Sequence, residues 1–126
     1  MTKDQIKSMF NNIRKQVNGL LAISVVDVTS GKTEGSLAID DSFALEAAGK
    51  YNAEVLKAKL KAKNAMGMDK EIIELITIEL TSQLHFIQPS PTEKYLIYMA
   101  VDRKTANLGM ARRVIKEASS ELELVA

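Results

Sequence analysis

The chain has 126 residues, a formal net charge of +1, one histidine and no cysteine. That length is expected to fold as one domain, residues 1–126, and the balanced charge argues against a nucleic-acid or membrane-surface binder. Without cysteine there are no disulfides and no thiol chemistry, in keeping with a reducing cytoplasm, and neither a signal peptide after Met1 nor an apolar run of ~18 residues is visible.

The chain opens on a helix, Lys3 to Val17. Ile6, Met9, Phe10, Ile13 and Val17 recur at helical spacing, and Asn18-Gly19 stops it. Leu20 to Val28 is almost continuously apolar, which predicts a strand buried on both faces in the middle of a sheet. Thr29-Ser30-Gly31-Lys32 is a turn, and Thr33 to Ile39 returns as a second strand. Its glycine and polar residues suit a sheet edge.

Asp40-Asp41-Ser42 offers side chains to cap a helix running from about Phe43 to Asn64. This helix is apolar on two sides. One stripe is Ala44, Ala48, Tyr51, Val55, Ala58 and Ala62; the other is Leu45, Gly49, Ala53, Leu56 and Leu60. A surface helix needs only one such stripe. The first is expected to cover the sheet. The second, with small residues at its centre, is expected to meet the backbone of another copy. Lys57, Lys59, Lys61 and Lys63 load the last turns, where cations complement the helix dipole.

After a loop from Asn64 to Asp69, the segment Glu71 to Thr81 has two readings. Ile72, Ile76 and Leu80 fit a helix, but the many β-branched residues favour a strand. Leu84 to Gln88 is expected to pair back on it, and Pro89-Ser90-Pro91 breaks the chain. Lys94 to Val101 is another continuous apolar run, predicted to lie centrally. A helix from about Thr105 to Leu122 closes the order, with Leu108, Ala111, Ile115, Ala118 and Leu122 on its buried face. The expected fold is α/β (α+β): one five-stranded, mainly antiparallel sheet sandwiched by helices in the order α-β-β-α-β-β-β-α. The two most apolar strands should lie side by side.

That order resembles the roadblock / dynein light-chain domain family, with its profilin-like fold. Val17-Asn18-Gly19-Leu20-Leu21-Ala22 resembles the family's helix-to-strand entry. Thr29-Ser30-Gly31-Lys32 looks like its first hairpin turn. Ala106-Asn107-Leu108-Gly109-Met110-Ala111-Arg112 is similar to the start of the last helix in bacterial members. The resemblance spans about residues 5–122. It implies a dimeric interaction module, many bacterial and archaeal members of which regulate or scaffold small Ras-like GTPases. It also implies pairing of the third strands and of the middle helices across the dimer. On this chain the expected dimer interface is Leu45, Gly49, Ala53, Leu56, Leu60, Ile72, Ile76 and Ile78. An adaptor without a GTPase partner and a small-molecule sensor are the alternative functions.

Catalytic chemistry has little to work with. A lone His85 cannot form a histidine metal cluster, and no nucleophile is spaced to serve it. Asp40 and Asp41 read better as loop and cap residues than as paired acids. Ser30-Gly31-Lys32-Thr33 superficially looks like a phosphate loop, yet the residues before it are strand and lack the first glycine. No enzyme activity and no cofactor are therefore expected. Lys50, Lys57 and Lys61 are either a solvated face or contacts to an acidic protein partner; few aromatics speak against nucleic acid. Arg112-Arg113 reads as solvated.

Overall fold

The computed structural model describes residues 2–122. Its elements follow in the order α1 (Lys3–Gln16), β1 (Leu20–Asp27), β2 (Thr33–Ala38), α2 (Leu45–Ala65), β3 (Ile76–Glu79), β4 (Gln83–Pro89), β5 (Tyr95–Asp102) and α3 (Leu108–Glu121). The five strands form one antiparallel sheet ordered β2-β1-β5-β4-β3. The apolar strands β1 and β5 are neighbours, and β2 is an edge, as the composition of each predicts.

Strand alternation sends side chains to two cores. On one face Ile23, Val25, Phe86, Ile97 and Met99 meet α1 and α3. On the other Ala22, Val26, Ile87, Leu96, Tyr98 and Ala100 meet α2. Such double burial explains the nearly unbroken apolar runs of β1 and β5. Helix α1 begins with a capping box, in which Thr2 Oγ1 accepts from Gln5 N–H and Gln5 Oε1 accepts from Thr2 N–H. In the β1–β2 turn Asp27 Oδ1 accepts from Ser30 N–H at 2.9 Å, and Gly31 takes a φ of +74°. This is a hairpin, and its geometry accounts for the Ser-Gly-Lys sequence without a phosphate.

The two stripes of α2 are exchanged relative to the expectation. Leu45, Gly49, Ala53 and Leu56 are buried against the chain's own sheet, with Leu60 half-buried beside them. Tyr51 is 65% exposed and Val55 36%, while Ala44, Ala58 and Ala62 also face outward. The physical reason is area. The buried stripe holds three leucines, and the outward one is mostly alanine, so leucine burial removes more apolar surface from water. The small residues do mark a close approach, but to the hairpin. A Cβ added at Gly49 would lie 2.7 Å from Thr33 Oγ1, 3.3 Å from Val26 Cγ2 and 3.4 Å from the Gly31 carbonyl.

Other boundaries also move. Helix α2 starts at Leu45 with Ala44 at its N-cap and no side-chain cap. Asp40 Oδ1 instead accepts from Ser42 N–H at 2.9 Å, closing a local turn before the helix. The third strand is four residues long, and Glu71 to Leu75 has no regular structure. The final helix begins at Leu108 with Asn107 as N-cap, its side chain accepting from Met110 N–H at 2.9 Å. Leu108 is therefore at the exposed first turn, and Val114 and Ser119 join the buried face.

Candidate dimer and partner surface

Helix α2 does not cover the whole sheet face it packs on. It lies over β1 and β2, reaches β5 and β4, and makes no close approach to β3. One flank sits against the hairpin: Lys57 Nζ donates to the Thr29 carbonyl at 3.0 Å, and Lys50 backs onto Gly31. The opposite flank, with Ala48, Asn52 and Val55, is therefore turned toward the β4–β3 half of the sheet. There Ile73, Ile76 and Ile78 are only half-buried, and Ile72 is 77% exposed.

These features share one side of the molecule. An outward apolar stripe runs along α2, an under-covered half-sheet lies beside it, and β3 ends the sheet with its outer backbone edge unpaired. Asn52 Nδ2 is buried on the flank between them with no acceptor in reach among the described residues. Of the expected interface residues, Ile72, Ile76 and Ile78 lie on this side. Leu45, Gly49, Ala53 and Leu56 do not; they belong to the core beneath the helix. Tyr51 and Val55 are the α2 residues exposed on this side instead. Their sequence signal was the alanine-rich first stripe, once the larger residues of the other are given to the core.

His85 sits in the same half-sheet, paired in register with Ile78 on β3 and Ala100 on β5. Its Nε2 is 2.7 Å from Gln83 Oε1, and its Nδ1 is 3.1 Å from the Tyr98 hydroxyl. An amide oxygen only accepts, so Nε2 carries the proton and Nδ1 accepts from the phenol. The Phe43 ring, just before α2, lies 6.3 Å away centroid to centroid. Burial pushes the imidazole below its ordinary pKa and raises the Tyr98 phenol to about 12. The cluster holds one histidine, one phenol and an amide. It has no nucleophile beside a base. Among the described residues no three His, Asp or Glu side chains gather where a metal ion could sit.

The lysines expected to touch a partner lie apart from this surface. Lys50, Lys57 and Lys61 are exposed and share the hairpin-side flank of α2 with Glu54. Lys63 is drawn to the helix end, donating to Asn64 Oδ1 and to the carbonyls of Met68 and Asp69. Arg112 and Arg113 are exposed, and Arg113 Nε is 3.9 Å from Glu117, a surface pair of little energetic weight. Asp40 is held below the usual carboxylate range by the Ser42 backbone and side-chain hydrogen bonds, and is exposed. No helix among the described residues is long and apolar enough to cross a membrane.

Solved structures match this arrangement over almost its whole length. MglB of Myxococcus xanthus superposes with a TM-score of 0.82 at 17% identity, covering 96% of this chain and 94% of that one. A roadblock/LC7 domain from Streptomyces avermitilis gives 0.81 at 10% identity, covering 94% of each chain. The chain has the roadblock-domain fold. The gliding protein MglB of Thermus thermophilus is a further roadblock-like neighbour, with a TM-score of 0.84 at 14% identity over 98% of this chain and 90% of that one. No family model and no curated protein matches the sequence itself. At 10–17% identity, the likeness to these solved structures shows the fold.

Proposed function

We propose that this chain is a non-catalytic, homodimeric interaction module that regulates or scaffolds a small Ras-like GTPase in the cytoplasm. The observation that carries the dimer is the second apolar side of α2. Tyr51 and Val55 face solvent beside an under-covered half-sheet, although α2 already buries a full stripe on its own sheet. A second copy related by a two-fold axis would lay its α2 against the first and its β3 beside β3. That one arrangement covers the stripe and the unpaired edge together. The GTPase half of the reading rests on the roadblock resemblance and is an argument by analogy of fold.

Light scattering at micromolar concentration tests the dimer. The wild type should run at twice the chain mass. Val55→Asp should run as a monomer with an unchanged circular dichroism spectrum, because it places a charge in the interface and leaves the core alone. A monomeric wild type, or a Val55→Asp dimer of undiminished affinity, would overturn the dimer. For the partner, the tagged chain should retain a small GTPase from lysate of its native cell, with capture differing between GTP- and GDP-locked preparations. Capture of other proteins and no GTPase would favour the adaptor reading.

A further inference from the structure

The half-sheet that α2 leaves under-covered contains the chain's only histidine. We propose that His85 makes self-association pH-sensitive: its protonation opposes the dimer, so the assembly loosens on acidification. This rests on the dimer argued above and adds a means of regulating it.

The groups facing His85 supply no counter-charge. From its own strand, Gln83 presents an amide oxygen at 2.7 Å. From β5, Tyr98 presents its hydroxyl at 3.1 Å. Before α2, Phe43 presents a ring tilted at 52° with its centroid 6.3 Å away, and β3 presents Ile78 in register. Tyr98 is the titratable member of that shell, and its phenol stays neutral up to about pH 12. The nearest carboxylate on β3, Glu79, follows Ile78 and so points to the opposite face, where it pairs with Arg103 at 3.1 Å. No ion pair to His85 exists among the described residues, which fits a pKa lowered by burial alone.

In the single chain His85 is only half-buried, so an imidazolium can still reach water. A second copy with its α2 against this α2 and its β3 beside β3 would close over that face and take that water away. Neutral imidazole tolerates this, because Nε2–H already donates to Gln83 and Nδ1 accepts from Tyr98. A proton added at Nδ1 would force the Tyr98 hydroxyl to turn and accept. It would also leave a full positive charge against Phe43, Ile78 and the partner's apolar surface. The charged form is therefore favoured in the monomer. By linkage, each pKa unit between the two states is about a tenfold change in association per histidine.

The dimer dissociation constant, measured by sedimentation equilibrium at pH 8.0 and pH 5.5, tests this. It should rise severalfold at the lower pH, and further as pH falls below both pKa values. His85→Gln, which stays neutral and keeps hydrogen-bonding groups, should flatten the profile. A folding-independent second readout is the His85 ring proton followed by NMR: its pKa should be lower in the wild-type dimer than in monomeric Val55→Asp. A wild type that dimerises equally at both pH values overturns the inference and leaves the dimer standing. A profile unchanged in His85→Gln overturns it as well. A wild type that is monomeric even at pH 8.0 overturns the dimer and this inference with it.

Discussion

Gly49 shows how one residue fixes the relation of a helix to its sheet. An added Cβ would come within 2.7 Å of Thr33 Oγ1 on the edge strand, with Val26 and the Gly31 carbonyl also close. Glycine in a helix interior costs roughly 0.5–1 kcal/mol relative to alanine, so its presence here needs the close approach. Gly49→Leu should accordingly destabilise the fold by about 1–3 kcal/mol, read from the urea midpoint, because the strand and turn must shift to admit it. An unaltered midpoint would mean that α2 rides higher on the sheet than these distances say. Tyr98 gives a second expectation at this scale. Its folded pKa is raised to about 12 from an ordinary value of 10.0. The unfolded chain then loses its phenolic proton first as pH rises. The stabilising contribution is whole below pH 10 and disappears between pH 10 and about pH 12. Tyr98→Phe should lack that alkaline loss, seen as a flatter stability profile above pH 10. His85 has the opposite flank: its lowered pKa means the unfolded chain takes up the proton first, so stability falls as pH drops below about 6.5.

At the scale of elements, α2 sets a core side chain and an outward one a single residue apart. Leu56 is fully buried and Val55 beside it is 36% exposed. Leu56→Ala should cost about 2–5 kcal/mol in chemical denaturation, whereas Val55→Asp should leave the folded chain intact and remove the dimer. Equal losses of stability from both would place the two side chains in one core. The order of elements, the central place of β1 and β5 and the edge position of β2 were legible, because continuous apolar runs and glycine-rich polar runs report burial on both faces or on neither. The assignment of α2's stripes was not. Periodicity finds two apolar faces but cannot say which meets the sheet, and the small residues suggested a partner helix when they fit a hairpin. The larger summed area of Leu45, Leu56 and Leu60 was the usable signal. Helix caps and the length of β3 were illegible for a different reason. Asp40 satisfies Ser42 in a local turn instead of capping α2, a choice between hydrogen bonds of similar strength. Ile72 and Ile73 have strand propensity, yet their segment lies beyond the four residues that pair with β4. Propensity gives way there to the absence of a neighbouring strand.

At the scale of the whole molecule, the two flanks of α2 point to separate tasks. In the proposed dimer the Tyr51–Val55 side would meet a second copy. Lys50, Lys57 and Lys61 are seven and four residues apart, so they fall on one flank, away from that side. In a two-fold dimer this places a lysine row on each outer shoulder of the paired helices, with the two shoulders flanking the dimer axis. A GTPase seated across the axis of the proposed dimer would touch both rows, so one partner per dimer is the expected stoichiometry. Lys57 is already tied to the Thr29 carbonyl, so its ammonium has less freedom to follow a partner than Lys50 or Lys61. Exposed charges of this kind act over a screening length of about 10 Å at 0.1 M salt and govern encounter more than final affinity. Changing Lys50, Lys57 and Lys61 together to Glu should therefore slow association with the GTPase by about tenfold or more at low salt. The gap from wild type should narrow as salt rises. Dissociation rate and dimer mass should hardly change. Stopped-flow association across a salt series is the measurement. Wild-type kinetics in the triple variant at every ionic strength would return these lysines to the solvated surface and move the partner site elsewhere on the dimer.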